Sequence, residues 1–329
     1  YSIVSPGGTI IVENTTYGKI TFLRSVNGTG ANLVGNSGSA IIFANNFAFI
    51  DSSQTGLNRS ANITLYNLPT FSNPVILRDV FYICNATTSP SCSNFTALNA
   101  ENVSFNVSSW SSYNIGKRTA PVSGCRDLNE EEVVYYLTNN VSRAGTCFNI
   151  TANNVTLDGN GYTVNYSQDA LGYGVKNFGY NNSVVKNLRI TEIGTQGASH
   201  GIYYTGASNG LVKNNIITTT STTGSNSRGI HIDSKSNSNT LISNIISTPK
   251  AIGMMVSSSN FNNLINNTIV TSDAYKSGIY VQTSNSSTLS YNNITTTGSD
   301  NSNSGGIYLY LSFNSIAQFN TINSTQMPS

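Results

Sequence analysis

The stretch GIYYTGASNGLVKNNIITTT (201–220), answered by GIHIDSKSNSNTLISNIIST (229–248), decides the fold. Each segment opens on Gly-Ile and alternates apolar with polar residues. Each then passes through a turn rich in Ser, Asn and Gly, and closes on a second apolar run interrupted by Asn. The pair of elements recurs throughout the second half of the chain. A Gly followed by an apolar strand start falls at Gly174-Val175, Gly201-Ile202, Gly229-Ile230, Gly253-Met254, Gly278-Ile279 and Gly306-Ile307, with spacings of 27, 28, 24, 25 and 28 residues. The second element reads VVKNLRI (184–190), LVKNNII (211–217), LISNII (241–246), LINNTI (264–269), LSYNNI (289–294) and IAQFNTI (316–322). This alignment puts Asn187, Asn214, Asn244, Asn267, Asn292 and Asn320 at one corner, and NITANNVTLDGNGYTV (149–164) reads as the first coil.

Alternation within each strand has period two, as in Ile202 and Tyr204, Ile230 and Ile232, Ile279 and Val281, or Ile307 and Leu309. Strands this short cannot bury a face alone, but parallel turns stacked about 4.8 Å apart can. Corner asparagines are then expected to stack, their amides hydrogen-bonding up and down the column. No 3.6-residue stripe supports a helical repeat, and a propeller blade needs more residues per repeat. The expected fold is all-β: a right-handed parallel β-helix of about seven coils over 149–329, preceded by an antiparallel β-sandwich-like domain over 1–117.

Composition agrees. Asn, Ser and Thr number 48, 47 and 36 of 329 residues, whereas only 30 are charged and the formal net charge is +2. Such a chain is poor in helix formers and has no basic run to follow a phosphate backbone, so nucleic acid is not expected as a partner. No apolar stretch is long enough for a membrane span. The chain starts at Tyr1, which reads as a processed protein or a piece of a longer one. Cys84, Cys92, Cys125 and Cys147 lack zinc-site spacing, so two disulfides, Cys84–Cys92 and Cys125–Cys147, are the simplest reading, and they point outside the cell. Seventeen N-x-Ser/Thr sequons permit glycosylation at Asn14, Asn27, Asn58, Asn62, Asn85, Asn94, Asn102, Asn106, Asn140, Asn149, Asn154, Asn165, Asn181, Asn266, Asn285, Asn293 and Asn323. Chance alone predicts roughly 12 in so Asn-rich a chain.

The first domain shows hairpin-like runs without a period, among them KITFLRS (19–25), SAIIFANNFAFIDSS (39–53) and PVILRDVFYIC (74–84). Trp110 is expected in its core, and GKRTAP (116–121) as the linker. Within 118–148, GCRDLNEEEVVYYLTNN (124–140) carries Asp127 and Glu130 in capping-box spacing, then Val133, Val134 and Leu137. That pattern predicts a short helix lying over the open first coil.

CFNITANNVTLDGNGYTV (147–164), followed by the GIY…NN…I coils, resembles the pectin-lyase-like and NosD-type right-handed β-helices. With its Cys-flanked entry segment it is similar to secreted cell-surface proteins of archaea. LNRSANITLYNLP (57–69) and VSFNVSSWSSYNIG (103–116) are similar to accessory domains of such proteins. The resemblance implies a fold shared by enzymes, adhesins and fibres. Hydrolases of this fold use several Asp from neighbouring strands, but the Asn-Thr-Asp, Asp-Asp and Gly-His-Gly signatures are absent, the nearest approach being Ser199-His200-Gly201. Lyases need clustered acids for calcium, whereas Asp158, Asp169, Glu192, Asp233, Asp273 and Asp300 are scattered.

One constellation remains. Aligned on the Gly-Ile step, His200 falls beside Arg228, and Tyr203, His231, Met255, Tyr280 and Tyr308 share an outward row. Thr205, Asp233, Ser257, Gln282 and Tyr310 share another. His200, Tyr203, Arg228, His231 and Asp233 can thus form one surface patch, a metal or acid–base site weighed against a polar sheet face or interface, with His200, Arg228, His231 and Asp233 as the catalytic candidates. Outward tyrosines stack on sugars or anchor protein interfaces. No metal site and no cofactor is expected, since soft ligands are few. The last coil ends without an amphipathic cover, which suggests further chain or another subunit. The expected function is an extracellular structural or adhesive cell-surface protein, N-glycosylated and self-assembling into a filament, stalk or surface layer, with surface glycans as further partners. The alternative is a polysaccharide-binding or polysaccharide-cleaving protein, a lyase or glycoside hydrolase. A metal-handling role by analogy with NosD-type proteins ranks last.

Overall fold

The computed structural model describes residues 2–4, 9–27, 33–35, 38–71, 73–80, 82–194, 197–220, 227–272, 277–297 and 305–325. Asp273, Asp300 and the end of the chain at 326–329 lie outside them. The chain divides into two compact units at Thr119/Ala120.

Among the described residues of the first unit, two six-stranded sheets enclose one core. Gly18–Phe22, Ala61–Leu65 and Val103–Val107 pair antiparallel in one sheet, and Phe47–Ile50, Ser112–Lys117 and Pro74–Arg78 in the other. Every second residue of Gly18–Phe22, Ala61–Leu65 and Val103–Val107 is buried, the alternation of sheets solvated on one face. Trp110 is buried among Phe22 and Tyr113, as expected from its position in the chain. Cys84–Cys92 closes an eight-residue separation.

The second unit is a right-handed parallel β-helix. Its described strands form three parallel sheets of eight, nine and eight strands, here sheets 1, 2 and 3. Sheet 1 runs from Asp127–Leu128 through Phe148–Ile150, Tyr173–Phe178, His200–Thr205, Arg228–Asp233, Ile252–Ser257 and Ile279–Gln282 to Ile307–Tyr310. Sheet 2 runs from Thr119–Val122 to Ile316–Gln318, and sheet 3 from Val141–Ser142 to Thr321–Thr325. Eight coils result, numbered 1 (127–142) to 8 (307–325), and seven of them start at or after Phe148.

Like stacks on like. Phe148, Val175, Ile202, Ile230, Met254, Ile279 and Ile307 are in register along sheet 1. The recurrent glycines have a steric cause. A Cβ on Gly201, Gly229, Gly253 or Gly278 would lie 2.3–2.5 Å from the Ile of sheet 3 facing it, and 2.6–2.9 Å from the next coil's glycine carbonyl. Only glycine lets the coil close that tightly.

Two expectations need correction. The segment 118–148 holds no helix, and no helix occurs among the described residues. Thr119–Val122 is a strand of sheet 2, and 127–142 is coil 1 itself. Leu128, Val133, Tyr135 and Leu137 are buried whereas Val134 and Tyr136 are only partly so. That is period two, and pairing of Val134–Tyr136 with Thr156–Asp158 overrides the acidic helix signal. Glu132, in the presumed helix, has φ +62°. Cys125–Cys147 ties coil 1 to coil 2.

The asparagine ladder is real but one residue out in two coils. Its members are Asn215, Asn244, Asn267, Asn292 and Asn320. In each link the Oδ1 of one Asn accepts both the backbone N–H and the Nδ2 of the Asn before it, at 2.9–3.1 Å. Asn187 and Asn214 instead occupy the preceding left-handed position, at φ +57° and +55°, shared with Ser243, Asn266, Tyr291 and Phe319. In coil 3 the ladder position is held by Leu188, whose N–H still donates to Asn215 Oδ1 at 3.1 Å.

Candidate functional site

Because side chains alternate across a strand, the residues next to the buried rows point outward, and strand register gathers them. One outward row of sheet 1 crosses all eight coils: Asp127, Asn149, Lys176, Tyr203, His231, Met255, Tyr280 and Tyr308. Seven steps of strand spacing make it about 34 Å long. Beside it run Tyr173, His200, Arg228 and Ile252, and on its other side Phe178, Thr205 and Asp233. His200, Tyr203, Arg228, His231 and Asp233 thus come together as the Gly-Ile alignment requires. Tyr173, Lys176 and Phe178 belong to the same face, a placement that continuing the alignment through Gly174 would have given.

Aromatic contact dominates the centre. Tyr203 stacks on His231 with ring centroids 5.0 Å apart and a 17° interplanar angle. His200 meets His231 edge-on at 5.1 Å, and Tyr173 lies 5.1 Å from Tyr203. Tyr280 and Tyr308 stack at 5.2 Å farther along the row. Lys176 Nζ sits 3.8 Å over the Phe178 ring.

Polar order comes from Ser257. Its hydroxyl donates to Asp233 Oδ1 at 2.7 Å and contacts His231 Nε2 at 3.0 Å. A hydroxyl whose proton is committed to a carboxylate can only accept from the ring, so His231 carries its proton on Nε2 and Nδ1 is a bare lone pair. Tyr203 donates its phenol to Asp233 Oδ2 at 3.3 Å. Burial, with the Arg228 charge second, pushes His231 down to about 3. His200 is held well below the usual imidazole value by burial first, then by His231 and Arg228. Burial lowers Arg228, opposed by Asp233, and raises Tyr203, reinforced by Asp233. Both histidines are therefore neutral near pH 7, and both are buried, at 5% and 6% exposure, although their strand positions face outward.

The Nδ1 atoms of His200 and His231 are sealed from solvent and have no hydrogen-bond partner among the described residues. Neither can meet a substrate without rearrangement. They also do not complete a metal shell. No group of three His, Cys, Asp or Glu could hold an ion among the described residues. All four cysteines are in disulfides, and the Arg228 charge bears on both rings. Of the seventeen sequon asparagines none is buried and eight are exposed. Asn181 and Asn285 use their Oδ1 atoms to accept backbone N–H groups of the next coil at 2.8 Å.

Among solved structures, the chain is similar to ORF18 of Geobacillus virus E2, at 10% identity and a TM-score of 0.28, over 65% of this chain and 53% of that one. It thus spans about half the length of the viral protein. It is also similar to the A-module of the mannuronan C-5 epimerase AlgE4 of Azotobacter vinelandii, at 12% identity and a TM-score of 0.22, over 64% of this chain and 90% of that one. No curated protein matches the chain. Residues 137–327 match the family model described as periplasmic copper-binding protein (NosD). That match covers coils 2 to 8 and more than half of the sequence, and the chain belongs to the NosD family.

Proposed function

We propose that this protein is a structural or adhesive component of the cell surface whose outer sheet 1 face holds a polysaccharide. The observation that carries the proposal is the outward row with its stacked rings, Tyr203 on His231 and Tyr280 on Tyr308, advancing by one strand spacing per coil. A linear glycan presents apolar ring faces at a similar repeat, and aromatic side chains stack on them. Membership of a periplasmic family and two disulfides fit work outside the cytoplasm. Affinity electrophoresis of the full chain in gels cast with a panel of polysaccharides tests the proposal. Retardation by at least one polymer, lost in Tyr203→Ala and Tyr280→Ala, is expected. Unretarded migration with every polymer refutes it.

The proposal is one of binding without turnover, supported by the sealed Nδ1 atoms of both histidines. Release of reducing or unsaturated ends from a bound polymer would favour cleavage instead. Copper, the metal in the family's name, has no part in this reading, because two imidazoles beside an arginine do not fit it. Assembly and N-glycosylation complete the proposal. Ile245, Phe261, Val270 and Tyr291 leave 42–59% of their surface exposed on coils 5 to 7, which supports self-association, and no sequon asparagine is buried. Sedimentation velocity over a concentration series should show growth of assemblies; a concentration-independent monomer refutes that part.

A further inference from the structure

The row does not begin on aromatic residues. Its first three positions, Asp127, Asn149 and Lys176, border a recess of about 310 Å³ that Arg143, Gly145, Thr146 and Cys147 complete. That volume is at the lower end of small-ligand sites. Its charges are unspent. Neither the Arg143 guanidinium nor the Asp127 carboxylate has an ion-pair or hydrogen-bond partner among the described residues, and Lys176 Nζ contacts only the Phe178 ring. Two cations and one carboxylate in one recess match a ligand that is both anionic and polyhydroxylated. The cations take a carboxylate, and Asp127 accepts from hydroxyls. The recess adjoins the aromatic cluster: Thr146 Oγ1 accepts the Tyr173 N–H at 3.2 Å, and Lys176 is the register neighbour of Tyr203.

We infer that this recess receives the carboxylate of a sugar-acid unit, so that the polysaccharide held along sheet 1 is an acidic one, anchored at coils 1 to 3 and running toward coil 8. The inference rests on the glycan-binding reading and adds the substrate class and the direction.

The test is a calorimetric titration of the full chain with a polyuronate oligosaccharide, and with the same oligosaccharide after reduction of its carboxylates to hydroxymethyl groups. The acidic form should bind about tenfold tighter, with an affinity that falls as salt is raised. Arg143→Gln and Lys176→Gln should each remove most of that preference and leave the neutral form's affinity unchanged. Both side chains are on the surface, so folding is preserved, and far-ultraviolet circular dichroism verifies it. Tyr280→Ala should weaken both forms alike. Equal affinity of the two forms, or a preference unaffected in Arg143→Gln and Lys176→Gln, overturns the inference while the glycan-binding reading stands. Binding of neither form also overturns the inference, and the glycan-binding reading then stands or falls on the polysaccharide panel.

Discussion

Replacing Asn267 by alanine isolates the ladder's contribution to the β-helix. Asn267 is fully buried; its Nδ2 donates to Leu241 O at 2.9 Å and to Asn292 Oδ1 at 3.0 Å. Its Oδ1 accepts the backbone N–H and the Nδ2 of Asn244, each at 3.0 Å. Truncation strands the Asn244 N–H and the Leu241 carbonyl inside the coil. At about 1–3 kcal/mol for each buried group left unpaired, the loss is about 4 kcal/mol. The adjacent Asn266 is the internal control. It is exposed at φ +53°, and its Nδ2 reaches only Ser243 Oγ. Asn266→Ala should cost about 1 kcal/mol, the strain of a Cβ in the left-handed region, and Asn266→Gly less. Guanidinium denaturation followed by far-ultraviolet circular dichroism measures the difference, and hydrogen exchange at the Asn244 amide locates it. Equal destabilisation by the two alanines, or an unchanged Asn244 exchange rate, would refute the ladder reasoning.

Further outcomes follow from the same packing. Gly253→Ala places a methyl 2.3 Å from Ile269 Cγ2 and 2.6 Å from Gly278 O, so it should destabilise by about 3 kcal/mol, read in the same denaturation. Breaking Cys125–Cys147 with Cys147→Ser frees a 22-residue separation; a loss of about 3 kcal/mol is expected, with proteolysis starting in coil 1. His231 titrates at about 3 in the folded chain against an ordinary 6.5, so the unfolded state takes up the proton first. Stability from this group is complete above pH 6.5 and falls as pH drops toward 3, by roughly 2 kcal/mol at pH 5. In His231→Gln that part of the pH dependence should vanish from melts recorded between pH 7 and 4.

What the sequence showed and what it hid have separate causes. Gly-Ile steps recur because the coil cannot close on a Cβ, so they report register directly, and His200/Arg228 and Tyr203/His231 pair as that register demands. Asn187 and Asn214 misled because two chemically similar corner positions are adjacent: one needs a left-handed residue and one needs an amide, and Asn suits both. GCRDLNEEEVVYYL carries local helix signals that parallel pairing with coil 2 outweighs. Burial of the two histidines could not be read from alternation, since it arises from Tyr173, Tyr203 and Arg228 crowding the same face. Ser257 stood in the Asp233 row, but its bridge between Asp233 and His231 is a matter of distance, not of pattern.

Hydrogen exchange of the full chain, with and without a bound oligosaccharide, tests most directly whether sheet 1 is the working face. Protection should concentrate in the sheet 1 strands from Asp127–Leu128 to Ile279–Gln282, leaving the sheet 3 strands from Arg189–Glu192 to Asn293–Thr297 unchanged. Protection confined to sheet 3 or to the first unit, or none at saturating ligand, would contradict the account.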